Sequence, residues 1–484
     1  MSGDAGSGEQ VVAPATCGSR RLERLTALAA QTSFHDAPPE VRERVATLVV
    51  DTLAVTSWGS RRRELVATRD VVTRHASPGM ATVFGEPVPR PASMACSLNG
   101  SAAAADQLQD GHRLARGHPA SHIVLAVLAL AEEVDASTEE LLSAVLAGYE
   151  LGARLGIAMR GTPPGVHDIG TWGAVAAAAG TARLLRPHDA DAMRRAVELG
   201  ASAPLLTDAT TIFTGHTGGH AYLGASVAHG LWLGQAATAG LEAAPGALER
   251  FFGVRAARDW GGLPDIPDTA GGGWPSYELL RGYVKLHPTC AHLHGVLDAL
   301  DDVTTVLRDQ GVTGPLAPRV RRVQVQTYAA AAAFVAPAEN ELQARFSIPT
   351  SVALTLIHGG LTGKALTDAE AGSPAVRDLA ARVDVVVDPD LDAGYPDGRP
   401  SAVTVVLEDG LSVSATSLRP RGDADGARSR SAFRDKSERL LRETFGDRAE
   451  ALLHLLAQWP SRYTPRELGA AFRHAAAAPA GARR

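Results

Sequence analysis

From about Leu22 to about Arg255, apolar residues recur at helical spacing almost without a break, and no other feature limits the fold of this chain so strongly. The stretch "DASTEELLSAVLAGYELGARLG" shows the pattern most clearly. Ser137 is placed to cap a helix, Glu140 completes a capping box, and Leu141, Leu142, Val145, Leu146, Tyr149 and Leu151 form a broad apolar surface. "TWGAVAAAAGTARLL" (Thr171 to Leu185) and "AYLGASVAHGLWLGQAA" (Ala221 to Ala237) carry small residues nearly all round. Such helices are buried on several faces, because Ala and Gly let neighbours approach closely. The region therefore predicts a packed, all-helical domain.

The pattern then changes. "DWGGLPDIPDTAGGGWPSYE" (Asp259 to Glu278) is rich in Gly, Pro and Asp and reads as a long loop or boundary. Beyond it lie alternating stretches at Arg321 to Tyr328, Arg382 to Asp388 and Ser401 to Ser417, the last a hairpin signal joined at Asp409-Gly410. Two helical segments, "CAHLHGVLDALDDVTTVL" and "PTSVALTLIHGG", sit among them, with a helix expected to begin near Thr289. After about Ser431 the helical pattern returns and is expected to pack back onto the first domain. The fold class is mainly α: a large all-helical domain formed by both chain ends, with a smaller α+β domain inserted. The expected divisions are 1–21 (disordered tail), 22–278 (helical), 279–415 (α+β), 416–474 (helical) and 475–484 (disordered tail).

Composition narrows the partners. At 484 residues the chain is too long for one ordinary core. A net charge of −6 offers no basic patch for nucleic acid. Cys17, Cys96 and Cys290 lie far apart, so they suit a reducing cytoplasm and cannot supply an iron–sulfur cluster. The first twenty residues lack the apolar core of a signal peptide, and no apolar run is expected to reach the roughly 20 residues of a membrane span. The expectation is a soluble cytoplasmic protein with neither nucleic-acid nor membrane partners.

Titratable chemistry concentrates in a few places. Eight of the sixteen histidines fall in three short windows: His112, His118 and His122; His216 and His220; His287, His292 and His294. In "QDGHRLARGHPASH" the pair His118-Pro119 opens a helix, with proline at N1 and His118 at or near the N-cap. The positive end of the helix dipole lowers an imidazole pKa there and favours a bound carboxylate. Asp110 is placed to orient or charge-balance a histidine. His118 and His122 at i, i+4 suit zinc, but no Glu intervenes and no third ligand follows. "TGHTGGH" around His216 and His220 has the texture of an anion-binding loop without matching a phosphate-loop motif. The third window begins with Lys285 and His287. Only three lysines (Lys285, Lys364 and Lys436) stand against 44 arginines. Lys285, beside aromatic and apolar neighbours at a domain boundary, is either a functional ammonium or a snorkelling surface lysine.

Taken in order, "LQDGHRLARGHPASHIVLAVLALAE", "GYELGARLG", "GVHDIGTWGAVAAAAGTARLL", "KLHPTCAHLHGVLDAL", "ARFSIPTSVALTLIHGG" and "AVTVVLEDG" resemble the MmgE/PrpD family, over roughly residues 22 to 470. That family includes 2-methylcitrate dehydratase, cis-aconitate decarboxylase and iminodisuccinate epimerase. The resemblance implies that the α+β domain is a lid on the helical one, that the protein is a homodimer, and that the site lies in the interdomain cleft without a cofactor or metal. It places the histidine of the family's "HPS" segment at His118 and that motif's last aspartate at Asp110. It puts the histidine of "H.TGT.G" at His167 and the cleft lysine at Lys285. The chain also departs from the pattern. Gln107 stands at the motif's first aspartate, Gly111 or His112 at its threonine, Gly219 and His220 where a lysine is common, and Thr350 at the tyrosine of "FSLPY". The scaffold is kept while the pocket is rebuilt.

Proton removal next to a carboxylate builds charge there, and fixed cations and N–H donors in a dry cleft must meet it. His118, Asp110, Lys285 and His167 are the expected catalytic set. His112, Arg113, Arg116, His216, His220, His287 and Thr350 are the expected substrate contacts, with Arg113 or Arg116 as carboxylate forks. The leading expectation is a lyase on a small di- or tricarboxylate, dehydration before decarboxylation or epimerisation. A metal-dependent hydratase or hydrolase and a non-catalytic acid binder are the alternatives.

Overall fold

The computed structural model describes residues 18–267, 273–361, 365–424 and 429–477. The expectations for 1–17 and 478–484, and residues Cys17 and Lys364, lie outside the described residues. Among the described residues helix makes up 58% and strand 8%, so the fold is mainly α. Helical structure begins earlier and ends later than expected. Gly18–Gln31 is a helix with Leu22 and Leu25 buried, and Pro465–Ala476 is a helix with Ala475 buried.

Buried apolar side chains form two clusters. The first gathers residues from Leu22 to Val284 and again from Phe433 to Ala475, with Phe346 reaching into it. The second lies wholly between Leu293 and Val413. In the first, the helices Ala92–Ala104 and Gly218–Thr238 meet backbone to backbone. A methyl group on Gly224 would fall 2.2 Å from the Ser97 carbonyl oxygen, so only glycine allows this approach. The helix Thr138–Met159 opens with the expected capping box between Ser137 and Glu140. Against the expectation of no span-length apolar run, this 22-residue helix is long and apolar enough to cross a membrane. Its apolar window is 94% buried among the other helices, which accounts for the composition.

The second cluster is built on a four-stranded sheet ordered Val383–Val387, Val320–Thr327, Ser401–Leu407, Ser412–Ser417. The first pair is parallel and the others antiparallel. Side chains of Ser401–Leu407 alternate strictly between buried and half-buried, the signature of a sheet covered on one face. The helices His294–Asp309 and Ile348–His358 contribute the apolar residues of that cover. The expected helix start near Thr289 is displaced to His294, after a short turn at Ala291–Leu293. The Cys290 N–H is drawn off to the Arg345 carbonyl at 2.8 Å instead of facing a free helix start.

Two short strand pairs within the first part, and one arginine that bridges the two parts, surround the site. Gly111–His112 pairs antiparallel with Gly282–Tyr283. Val166–His167 pairs with Thr207–Asp208. Arg345, 3% exposed, donates to the Asp106 carboxylate at 2.7 Å and to the carbonyls of Asp106 and Pro288 at 2.9 and 3.0 Å.

Candidate active site

The loop between Asp110 and His118 is a rigid construction. The His112 N–H donates to the Gly117 carbonyl at 2.9 Å and closes it. Inside, His112 Nδ1 accepts the Ala115 N–H at 3.1 Å, while Nε2 stands 3.3 Å from Glu278. His112 is fully buried and braces the loop, so it does not reach the cavity as expected of a substrate contact. Asp110 also has work of another kind. Its carboxylate accepts the N–H groups of Ala120 at 3.0 Å and Ser121 at 3.3 Å, capping the helix Pro119–Val134. Burial pushes this carboxyl up to about 7, against the pull of those donors. Its side chain does not line the cavity where a catalytic carboxylate would stand.

His118 is the N-cap residue of that helix, as expected. Its Nδ1 lies 2.6 Å from the Asp110 carbonyl oxygen. A carbonyl only accepts, so Nδ1 carries the hydrogen and the neutral ring keeps its lone pair on Nε2. Burial, reinforced by the Lys285 charge, holds the His118 pKa well below 6.5. The ring is a fixed, neutral base. His122 points its Nδ1 at the His118 carbonyl at 2.9 Å and does not line the cavity, so the two histidines do not converge on a metal.

The strand pair Gly111–His112 and Gly282–Tyr283 carries Lys285 to the same place. Lys285 is 1% exposed, which rules out the snorkelling reading. Its ammonium donates to the Gln107 side-chain oxygen at 3.0 Å, and burial lowers its pKa to about 8. Gln107 and Arg116, both on the cavity wall, hold φ of 53°, a conformation unfavourable for residues other than glycine. His167 faces the cavity from its own short strand, with Nδ1 3.1 Å from the Asp168 carboxylate. Burial lowers the His167 pKa while Asp168 opposes the shift.

These groups line a cavity of about 510 Å³. Arg399 joins them, 6% exposed, its guanidinium 4.4 Å from the centre of the Tyr283 ring. Its Nε has no hydrogen-bond partner among the described residues. Arg113 and Arg116 also line the wall. Arg113 pairs with Asp423 at 3.0 Å, and Arg116 donates to the Arg160 carbonyl at 3.1 Å. Among the described lining residues Asp168 is the single carboxylate, against Lys285 and the arginines Arg113, Arg116, Arg258 and Arg399, so the wall carries an excess of positive charge.

Four expected contacts lie elsewhere. His216 is exposed and bonded to the Thr214 hydroxyl at 2.9 Å, and His220 sits 3.6 Å from Glu64; the two flank a separate void of about 20 Å³. Thr350 is buried at the start of its own helix, accepting the Ala338 N–H at 3.3 Å. His287 bonds Asp298 at 2.9 Å, and with Asp301 these make the one described group spaced for a metal ion. Arg421 already supplies positive charge there, 3.3 Å from Asp301. Nothing in that cluster reaches the cavity.

Sequence reasoning missed Arg399, Tyr283, Asp168 and a wall of aromatic rings. His292 was seen in its window but given no role. It lines the cavity with Nδ1 2.6 Å from the Tyr328 hydroxyl, and burial lowers its pKa to about 3. Arg399 had no local signal, being one of 44 arginines in an unremarked "DGRPS" turn.

Residues 23–258 match the MmgE/PrpD N-terminal domain, and residues 287–460 match the MmgE/PrpD C-terminal domain. A cis-aconitate decarboxylase-like protein, oryM, of Aspergillus oryzae is 31% identical over 160 residues, 31% of this chain and 33% of the relative. The chain thus aligns with about a third of the length of that curated relative.

Proposed function

The chain belongs to the MmgE/PrpD family, and on that premise we propose that it is a lyase acting on a carboxylic acid by proton transfer next to a carboxylate, with its own side chains as acid, base and counter-charge. One observation carries the reading: the Asp110 carbonyl fixes the His118 tautomer, and His118 lines the same cavity as the buried Lys285. A substrate carboxylate seated by Lys285 and Arg399 gains negative charge as His118 Nε2 removes the neighbouring proton. Both cations are already desolvated and held in place, so their attraction strengthens as that charge grows. In its protonated form, which the Asp168 carboxylate favours, His167 gives its proton to the departing hydroxide, and water leaves as an alkene forms.

Decarboxylation is the second reading, favoured by the name of the Aspergillus relative and by the aromatic side of the cavity. A carboxylate leaving as CO₂ loses its charge and is helped by apolar surroundings. In that case the same histidines return a proton to carbon.

The test is incubation of a panel of di- and tricarboxylates with the protein in heavy water, followed by NMR. Exchange of the α-proton, with alkene or CO₂ appearing for the true substrate, is the expected outcome. Saturable binding without exchange in any acid defeats the lyase reading and leaves a protein that only binds its ligand.

A further inference from the structure

We propose that the ligand of this cavity is amphipathic: a carboxylate that also bears a bulky apolar substituent, alkyl or aryl, seated against Phe213, Phe334 and Phe346. The inference deepens the lyase reading and rests on it for the carboxylate end.

The cavity has two chemically different sides. Lys285, Arg399, His118 and His167 make one. The other is a cluster of three phenyl rings from three separate segments, with Phe213 5.5 Å from Phe346 and 5.9 Å from Phe334 between ring centres. Phe213 remains 41% exposed although it lines a concave site, so a large apolar surface stands in water that no described residue covers. Ala330 and Ala333, both exposed, line the cavity too, and their small side chains leave room a larger residue would fill. The volume of about 510 Å³ falls in the range of sites that enclose drug-sized ligands.

A small polycarboxylate is polar over most of its surface. Turning a carboxylate against three phenyl rings strips water from it without replacing the lost hydrogen bonds, which is costly. An alkyl or aryl group in the same place removes apolar area from water on both partners. His292 marks the seam between the two sides. Its ring stacks on Phe334 at 5.4 Å, while burial and then the charges of Arg399, Arg116 and Lys285 keep it neutral. His167 stands at the same border, its ring 5.7 Å from Phe213 and its Nδ1 on Asp168. The substituent therefore adjoins the reacting carbon.

The experiment is calorimetric binding of succinate and its 2-methyl, 2-propyl, 2-hexyl and 2-phenyl derivatives to the full chain. Each buried methylene should tighten Kd on the order of fourfold, the conversion of about 0.8 kcal/mol. Phe334→Ala should flatten that slope. If this variant does not fold, Ala333→Phe at an exposed position should weaken the hexyl and phenyl members more than succinate. A wild-type Kd that is flat or rises along the series overturns the proposal, as does a slope unchanged in the folded variants. Because binding needs no turnover, a flat series with α-proton exchange sinks this inference alone. A steep series in which no member exchanges sinks the lyase reading alone.

Discussion

The Lys285 ammonium rests on the side-chain oxygen of Gln107 at 3.0 Å, so a buried cation leans on a neutral amide. The family resemblance places an aspartate at Gln107. With an amide there, the lysine charge is not spent on an internal carboxylate and remains available to an anionic ligand.

Gln107→Glu should reverse this. A carboxylate in contact with Lys285 stabilises its protonated form, raising its pKa, and repels the substrate carboxylate. The alkaline limb of the kcat/KM profile should move up from about 8, while kcat/KM at neutral pH falls tenfold or more, at least about 1.4 kcal/mol. An unmoved limb in steady-state assays across pH would separate Gln107 from the lysine.

In the native protein kcat/KM should decline above about pH 8, because free Lys285 loses its proton there. Lys285→Ala should cost on the order of 3–4 kcal/mol in kcat/KM, comparable to losing one preorganised oxyanion donor. Lys285→Arg should recover little, since a wide planar fork cannot occupy the point of a compact ammonium. Full activity in both variants ends the role of the lysine.

The same lysine makes a stability prediction of definite sign. Burial lowers its folded pKa from 10.5 to about 8, so the folded state bears the full cost of the charge below pH 8. Between about 8 and 10.5 the unfolded chain holds the proton that the folded one has released, and the cost fades. Lys285→Met should therefore stabilise at pH 7 by about 2 kcal/mol, the shift of roughly 3 kcal/mol less about 1 for the lost bond to Gln107. Chemical denaturation should show that gain shrinking as pH rises through this window. A gain independent of pH would mean that the ammonium is not the cause.

His118→Ala and Asp110→Ala should fail in opposite ways. Removing the His118 base should lower kcat roughly 10²–10⁴-fold with Tm nearly unchanged. Removing the Asp110 carboxylate takes away the cap of Pro119–Val134 and should cost about 1–2 kcal/mol of stability. The Asp110 main-chain carbonyl still holds His118, so activity per folded molecule should fall much less. A larger kcat loss for Asp110→Ala than for His118→Ala would return the aspartate to the chemistry.

Much of the architecture was legible because its causes are local. The Ser137–Glu140 capping box, the hairpin at Asp409-Gly410 and the N-cap position of His118 follow from a few adjacent residues and their backbone preferences. The scarcity of lysine was also informative. Of the two described lysines, Lys436 is buried against Asp51 at 2.9 Å and Lys285 lines the cavity, places where the arginine head does not substitute for a compact ammonium.

The histidine windows show where such reading stops. His112 and His118 lie six residues apart in one glycine-flanked loop, yet one braces it against Glu278 and the other faces the cavity. His216, His220, His287 and Thr350 carried the right chemistry and found partners outside the cavity instead. Arg399 and the phenyl cluster carried no local signal and were brought to the same cavity as Lys285 and His167 by packing alone. By itself the sequence determined the helices, the inserted sheet and the supply of bases and cations. Periodicity and capping act between neighbours and leave their mark in any short window. Only the tertiary structure decided which of those groups share a cavity. Burial and electrostatic coupling depend on distances between segments far apart in the chain, and no local pattern contains those distances.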